Sequence, residues 1–199
     1  ILLTTYSAPF YNDLILPAGN LRESRSGKSR ANLIVVTKCP DDLSPATAEE
    51  IKRKLKPVEG QSVYFSGLEY GEPLNYLKAT LASTSPLEGG QGGDSLILLT
   101  GIANPKPMLE YLQKQYNIAK HLNYPDHHNF TTSDLKQIEE LSNAEPPIIT
   151  TEKDWVRLKA LLNKEALEHI YYLPMQVKML FGGEARFLEE VRDFVEVEA

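Results

Sequence analysis

Short apolar runs separated by amphipathic stretches set the rhythm of this chain: ILLTTY at 1–6, NLIVVT at 32–37, SVYFS at 62–66, SLILLT at 95–100, PIIT at 147–150 and HIYYL at 169–173. Continuous apolar runs of this length suit strands buried on both faces, as in a parallel sheet. Between them the apolar positions fall at helical spacing. SPATAEEIKRKLK offers Ser44 as an N-cap with Pro45 at the first helical position. KPMLEYLQKQY, TSDLKQIEEL and TEKDWVRLKALL read as further helices, and the closing GEARFLEEVRDFVE places Phe187, Val191 and Phe194 at helical spacing. Alternating strands and helices predict an α/β fold with mostly parallel sheets and flanking helices.

Residues 83–94, STSPLEGGQGGD, interrupt that rhythm with a Gly- and Ser-rich stretch that reads as a flexible loop or hinge. Before it lie two or three strands of one sheet; after it LILLTGIANP opens a second, smaller α/β unit. No internal repeat of fixed period is present.

The chain has 199 residues, 42% hydrophobic and 24% charged, enough for one large or two small packed cores. A formal net charge of -6 argues against a nucleic-acid partner, because such binders carry a basic surface. The single cysteine, Cys39, makes no internal disulfide and suits a reducing compartment such as the cytoplasm. No apolar run approaches the roughly 18 to 20 residues that span a bilayer. The opening ILLTTYSAPF has neither the basic start nor the small-residue cleavage site of a signal peptide, and its immediate strand suggests a chain that begins inside a fold.

Candidate chemistry concentrates at strand ends. Gly27-Lys28-Ser29 looks like the end of a phosphate-binding loop, but the G-x-x-x-x-G-K-[ST] pattern requires glycine five positions earlier, where Arg22 stands, and the stretch that follows is strand-like rather than helical. In LPAGNLRES, Arg22 offers a planar fork for phosphate oxygens and Glu23 a carboxylate for hydrated Mg²⁺; the plain alternative is an exposed ion pair. TKCP, with Thr37 and Lys38, ends a strand where nucleotide bases are often read. TGIANP, Thr100 to Pro105, lies at a strand's C-terminal end, where open α/β sheets bind ligands; a simple strand-to-helix connection is the alternative.

YPDHHNFT gathers Asp126, His127 and His128, two of the chain's four histidines. A carboxylate beside an imidazole can orient it for general-base work near neutral pH. A helix-capping turn and a metal site are the rival readings, the latter needing three or four ligands, while His121 and His169 show no ligand spacing. In TTEKDWVRL, Thr151 with Asp154 three residues on reads as a helix cap, and Lys153 stands at the helix start within reach of a phosphate.

Taken in order, LPAGNLRES, VTKCP, LLTGIANP, YPDHHNF and TTEKDWVRL resemble the C-terminal half of the tetraacyldisaccharide 4'-kinase family, the lipid A kinases, over nearly the whole chain. The resemblance implies ATP- and Mg²⁺-dependent phosphorylation of the 4'-hydroxyl of a tetraacyldisaccharide 1-phosphate at the cytoplasmic face of a bacterial inner membrane. It implies that the phosphate-binding loop belongs to an N-terminal half absent from these residues, the chief partner besides the lipid, so that the chain alone is inactive. It makes Arg22 a nucleotide contact, Glu23 a metal-shell contact, and Thr37 and Lys38 part of the loop flanking the adenine. His127 resembles the histidine of a catalytic Asp–His dyad whose carboxylate lies in the other half, and Asp126 would orient the ring.

The resemblance also implies residues 1–66 as a remnant of a P-loop-kinase-like core, 67–95 as a linking segment, 96–174 as a smaller α/β lobe and 175–199 as a helix returning to the core. Two alternatives stay open: a metal phosphoesterase built on Asp126, His127 and His128, and a non-catalytic binding lobe.

Overall fold

The computed structural model describes residues 1–75, 77, 81, 95–144 and 146–197, so the Gly- and Ser-rich stretch read as a hinge lies outside the described residues. The chain divides into two compact units, one of Ile1–Glu69 with Gln176–Ala199 and one of Tyr70–Met175.

In the first unit, strands β1 (Leu2–Thr5), β2 (Leu33–Thr37) and β3 (Ser62–Tyr70) pair in parallel. The strand Met175–Met179, β8, completes the order β1-β2-β3-β8. Alternate residues of β2 supply two cores. Ile34 and Val36 pack with Ala48, Ile51 and Leu55 of helix α1 (Pro45–Leu55), while Leu33 and Val35 meet Phe187 and Val191 of the final helix, α6 (Glu184–Val197). Both faces of the strand are therefore dry, which is why its sequence is an unbroken apolar run. Ser44 caps α1 by accepting the Thr47 N–H at 3.1 Å, as its place before Pro45 predicts. Of the three apolar positions expected on one face of α6, Phe187 and Val191 are packed, whereas Phe194 is half exposed.

The second unit is a four-stranded, all-parallel sheet in the order β5-β4-β6-β7, formed by β4 (Ser95–Thr100), β5 (Asn117–Asn123), β6 (Ile148–Thr151) and β7 (Ile170–Leu173). Helices α2 (Lys106–Leu112), α3 (Thr132–Ser142), α4 (Glu152–Leu158) and α5 (Lys164–Glu168) connect the strands or follow them. β4 is again buried on both faces: Ile97 and Leu99 pack with Ile138, Trp155 and Leu158, and Leu96 and Leu98 with Met108 and Leu112. Residues 71–74, inside the stretch expected to link two lobes, run along β7, with Leu74 and Tyr172 exchanging backbone hydrogen bonds of 2.9 and 2.8 Å.

In the order β5-β4-β6-β7 the chain leaves β4 toward β5 on one side and then crosses to β6 on the other. The C-terminal ends of β4 and β6 therefore flank the point where the winding reverses. Open α/β sheets bind ligands at that crevice.

Candidate functional site

The motifs singled out in the sequence collect at two strand edges, one in each unit. In the second unit, GIANP follows β4, the Asp126–His128 turn follows β5, and α4 starts directly after β6, so the three stand around the C-terminal edge of one sheet. Gly101 N–H donates to Asp154 Oδ2 at 2.8 Å, joining the end of β4 to the start of α4. A Cβ at position 101 would lie 2.8 Å from Asp154 Oδ1, so this approach requires glycine. Thr151 caps α4, accepting the Asp154 N–H at 3.0 Å while its hydroxyl donates to Asp154 Oδ2 at 2.8 Å.

The two adjacent histidines have opposite surroundings. His128 Nε2 donates to Asp134 Oδ2 at 2.9 Å, and its ring stacks on Tyr124 with centroids 4.7 Å apart and planes 19° from parallel. Asp134 also accepts from Thr131 N–H and Thr131 Oγ1 within the capping box of α3. The histidine hydrogen bond, followed by those from Thr131, holds the Asp134 carboxyl at about 2, well below the ordinary carboxylate value. Arg157 donates to the His128 carbonyl and lays its guanidinium over Phe130, 5.2 Å from the ring centroid.

His127 projects instead. Its side chain is 79% exposed and its backbone is left-handed, φ 59°. That conformation is costly for any residue with a Cβ and persists only where the surroundings impose it. Its Nε2 lies 3.7 Å from Asp126 Oδ2, an ion-pair distance but not a hydrogen bond, so the orienting bond expected between them is not formed. The other Asp126 oxygen accepts from Lys153 Nζ at 2.8 Å, the first cause of a lowered Asp126 pKa. Lys153, which its place at the helix start offers as a phosphate contact, is thus engaged with the turn. Asp126, His127 and His128 do not converge as a ligand set, and among the described residues no group of three acidic, histidine or cysteine side chains is placed to hold a metal ion.

In the first unit, the loop after β1 is closed by its own backbone. Asp13 accepts from Leu14 N–H and Asn20 N–H at 2.8 and 3.1 Å, and Leu16 N–H donates to Leu21 O at 2.9 Å across a cis Leu16–Pro17 bond. Gly19 fits beneath: a Cβ there would stand 2.3 Å from Leu14 O. Arg22 follows, exposed, on a cleft of about 630 Å³ shared with Asn20, Arg25, Lys28 and Arg30.

Glu23 is held by Arg30 Nη2, which reaches both of its oxygens, and both side chains are mostly exposed. Such an exposed pair is worth little in water, so Arg30 holds the carboxylate only lightly. Lys28 is committed elsewhere, its ammonium donating to the carbonyls of Leu55 and Lys56 at the C-terminal end of α1. Gly27-Lys28-Ser29 therefore lies in a 3₁₀ turn, Arg25–Arg30, that closes a helix end. At the end of β2, Thr37 Oγ1 donates to Thr4 O at 3.3 Å, and Lys38 takes a left-handed conformation, φ 56°. Cys39 beside it is buried, which pushes its thiol up to about 11.

Sequence reasoning does not reach Asp134 or Arg157. T-T-S-D at 131–134 is a legible capping box, but nothing in it announces the histidine it holds. Arg157 carries no local signal at all, since its carbonyl partner is 29 residues away.

The all-parallel sheet of the second unit is doubly wound, the sheet of the first unit is mostly parallel, and with their flanking helices they define an α/β protein whose sequence motifs gather at C-terminal strand edges. A sequence model of the family "Tetraacyldisaccharide-1-P 4'-kinase" matches residues 1–196. The chain belongs to that family. Tetraacyldisaccharide 4'-kinase of Flavobacterium johnsoniae is 43% identical over 176 residues, 88% of this chain and 48% of the relative. That of Bacteroides thetaiotaomicron is 37% identical over 207 residues, 98% and 54% respectively. The chain spans about half the length of the curated relatives it matches. Among solved structures, the "apo" form of LpxK from Aquifex aeolicus in complex with ATP aligns with a TM-score of 0.55 at 20% identity, over 95% of this chain and 50% of that one, a likeness of fold.

Proposed function

We propose that these residues serve an ATP-dependent lipid kinase that phosphorylates the 4'-hydroxyl of a tetraacyldisaccharide 1-phosphate in lipid A biosynthesis, at the cytoplasmic face of the bacterial inner membrane. The reading is supported by family membership and by the names of the relatives. The observation that carries the chemistry is the display of His127: exposed, held at positive φ at the C-terminal edge of a sheet, beside a neighbour that is locked in place.

In this reading His127 accepts the proton of the sugar hydroxyl as the phosphoryl group arrives. Imidazole is the side chain suited to exchanging a proton near neutral pH. Asp126, at ion-pair distance, places a negative charge beside the imidazolium that forms. Arg22 binds phosphate oxygens, and Thr37 and Lys38 flank the base. Glu23 would be the carboxylate available to the hydration shell of a Mg²⁺ ion, whose contribution there would be charge neutralisation on the phosphates.

No G-x-x-x-x-G-K-[ST] occurs in the 199 residues, so we propose that the phosphate cradle comes from the portion of the relatives that this chain does not match, and that the chain alone has no kinase activity. Turnover by the isolated chain with ATP, Mg²⁺ and the lipid would overturn that division of labour.

In the intact kinase, His127→Ala should lower kcat on the order of 10²- to 10⁴-fold and leave the KM for ATP within a few-fold, because one general base contributes about that much to phosphoryl transfer. Near-normal turnover would remove His127 from the chemistry.

A further inference from the structure

We propose that Asp154 and Arg157 are positioning residues that set the backbone of the 126–128 turn and so aim His127; the idea rests on the reading of His127 as the base. Asp154 is 0% exposed. Capping a helix does not require burying a carboxylate, since the same bonds form at an exposed helix start, and an uncompensated buried charge is costly. Only Oδ2 is hydrogen-bonded, accepting from Gly101 N–H at the end of β4 and from Oγ1 of the capping Thr151. Oδ1 makes no hydrogen bond and faces Arg157 Nη1 at 3.7 Å, itself buried and without a hydrogen bond. The carboxylate thus acts by charge on a guanidinium whose other nitrogen is spent on the His128 carbonyl.

The register of α4 makes this a two-point holder. Lys153 and Arg157, four residues apart on one face of the helix, grip Asp126 and His128, the residues on either side of His127. Asp154 between them pins the helix start to Gly101 at the end of β4. His127 bears its left-handed backbone because both of its neighbours are fixed from the same helix. Loss of the Asp154 charge frees Arg157 and lets the turn relax; a shift of about 1 Å at a reacting group costs on the order of 10²-fold in rate.

The test uses Asp154→Asn, nearly the same shape, and Arg157→Met, which leaves the Gly101–Asp154–Thr151 bonds untouched. In the intact kinase each should lower kcat about 10- to 100-fold with the KM for ATP within about three-fold, Arg157→Lys should recover part of the loss, and each should have little further effect in a His127→Ala background. Independently of catalysis, hydrogen exchange in this chain should show the His128 N–H, which donates to Pro125 O at 3.1 Å, losing about ten-fold protection in both variants while the Leu98 and Ile149 amides keep theirs. Losses that multiply with that of His127→Ala, or unchanged exchange at His128, would overturn the proposal. Full activity of His127→Ala would remove the base reading instead, and the exchange measurement would then decide the positioning claim by itself.

Discussion

The loop of residues 19–30 in the first unit and the turn of residues 124–131 in the second both look, as strings of letters, like places where charge is handled. They differ in how their side chains are committed. In the loop, Lys28 is spent on the end of α1, Glu23 is lightly held by Arg30, and Arg22 is left on the cleft. In the turn, Asp126 and His128 are both tied to distant partners and only His127 stands out. In both, a residue that resembles a motif is engaged by the fold: Lys28 by the end of α1, and Asp126, through one of its two oxygens, by Lys153. Availability, rather than residue type, separates a group that can act from one that holds the fold.

The sharpest challenge to that contrast is the histidine pair. His128→Ala removes a charge-assisted hydrogen bond and a stacked ring, and should destabilise the second unit by about 1–3 kcal/mol. His127→Ala should leave its melting temperature nearly unchanged while abolishing most turnover of the intact kinase. Differential scanning calorimetry of the two variants checks this, and a reversed order would break the distinction between anchor and displayed ring.

A similar opposition holds in the first unit. Lys28→Met leaves the α1 carbonyls without their cation and should cost about 1 kcal/mol in urea unfolding. Arg22→Ala should cost nothing measurable there and should instead weaken nucleotide use by the intact enzyme. Equal stability losses at the two positions would mean that Arg22 is structural as well.

Smaller still is the effect of the His127 backbone. Because φ is 59°, His127→Gly should be more stable than His127→Ala by about 0.5–1 kcal/mol, the usual sign of Gly against Ala being reversed where φ is positive. An Ala variant as stable as Gly would show that the turn relaxes once the ring is gone.

The slightest expected change is a pH dependence. The Asp134 pKa is lowered from 3.8 to about 2 on folding, so in that interval the unfolded chain binds the proton first. The stabilisation is present above about pH 4 and fades as pH falls toward 2. Asp134→Asn should flatten the second unit's acid unfolding curve in that window and leave the first unit's unaffected.

Legibility followed burial. The six apolar runs all became strands, and the Ser44 and Thr151 caps stand where their spacing put them. β5 and β8, NIAKHLN and MQVKM, carry no such mark in the sequence. Both are edge strands with mostly exposed or half-buried side chains, held by backbone hydrogen bonds to one neighbour; β5 has neither an apolar run nor a regular alternation, and the alternation of Met175, Val177 and Met179 with Gln176 and Lys178 in β8 spans only five residues. The five-residue α5 is likewise too short for a helical period to register.

The sequence by itself determined the α/β class, the buried strands, the exclusion of a phosphate-binding loop at Gly27 and the ordered motifs that resemble one kinase family, because each of these depends on residues near one another in the chain. Tertiary structure alone decided which polar group is taken and which is free. The bonds from Lys28 to Leu55, Lys153 to Asp126, Arg157 to His128 and Gly101 to Asp154 span 27, 27, 29 and 53 residues. No local pattern encodes such pairs: the first forms only once β1, β2 and β3 lie side by side in the first unit, and the other three only once strand order has set β5, β4 and β6 side by side in the second.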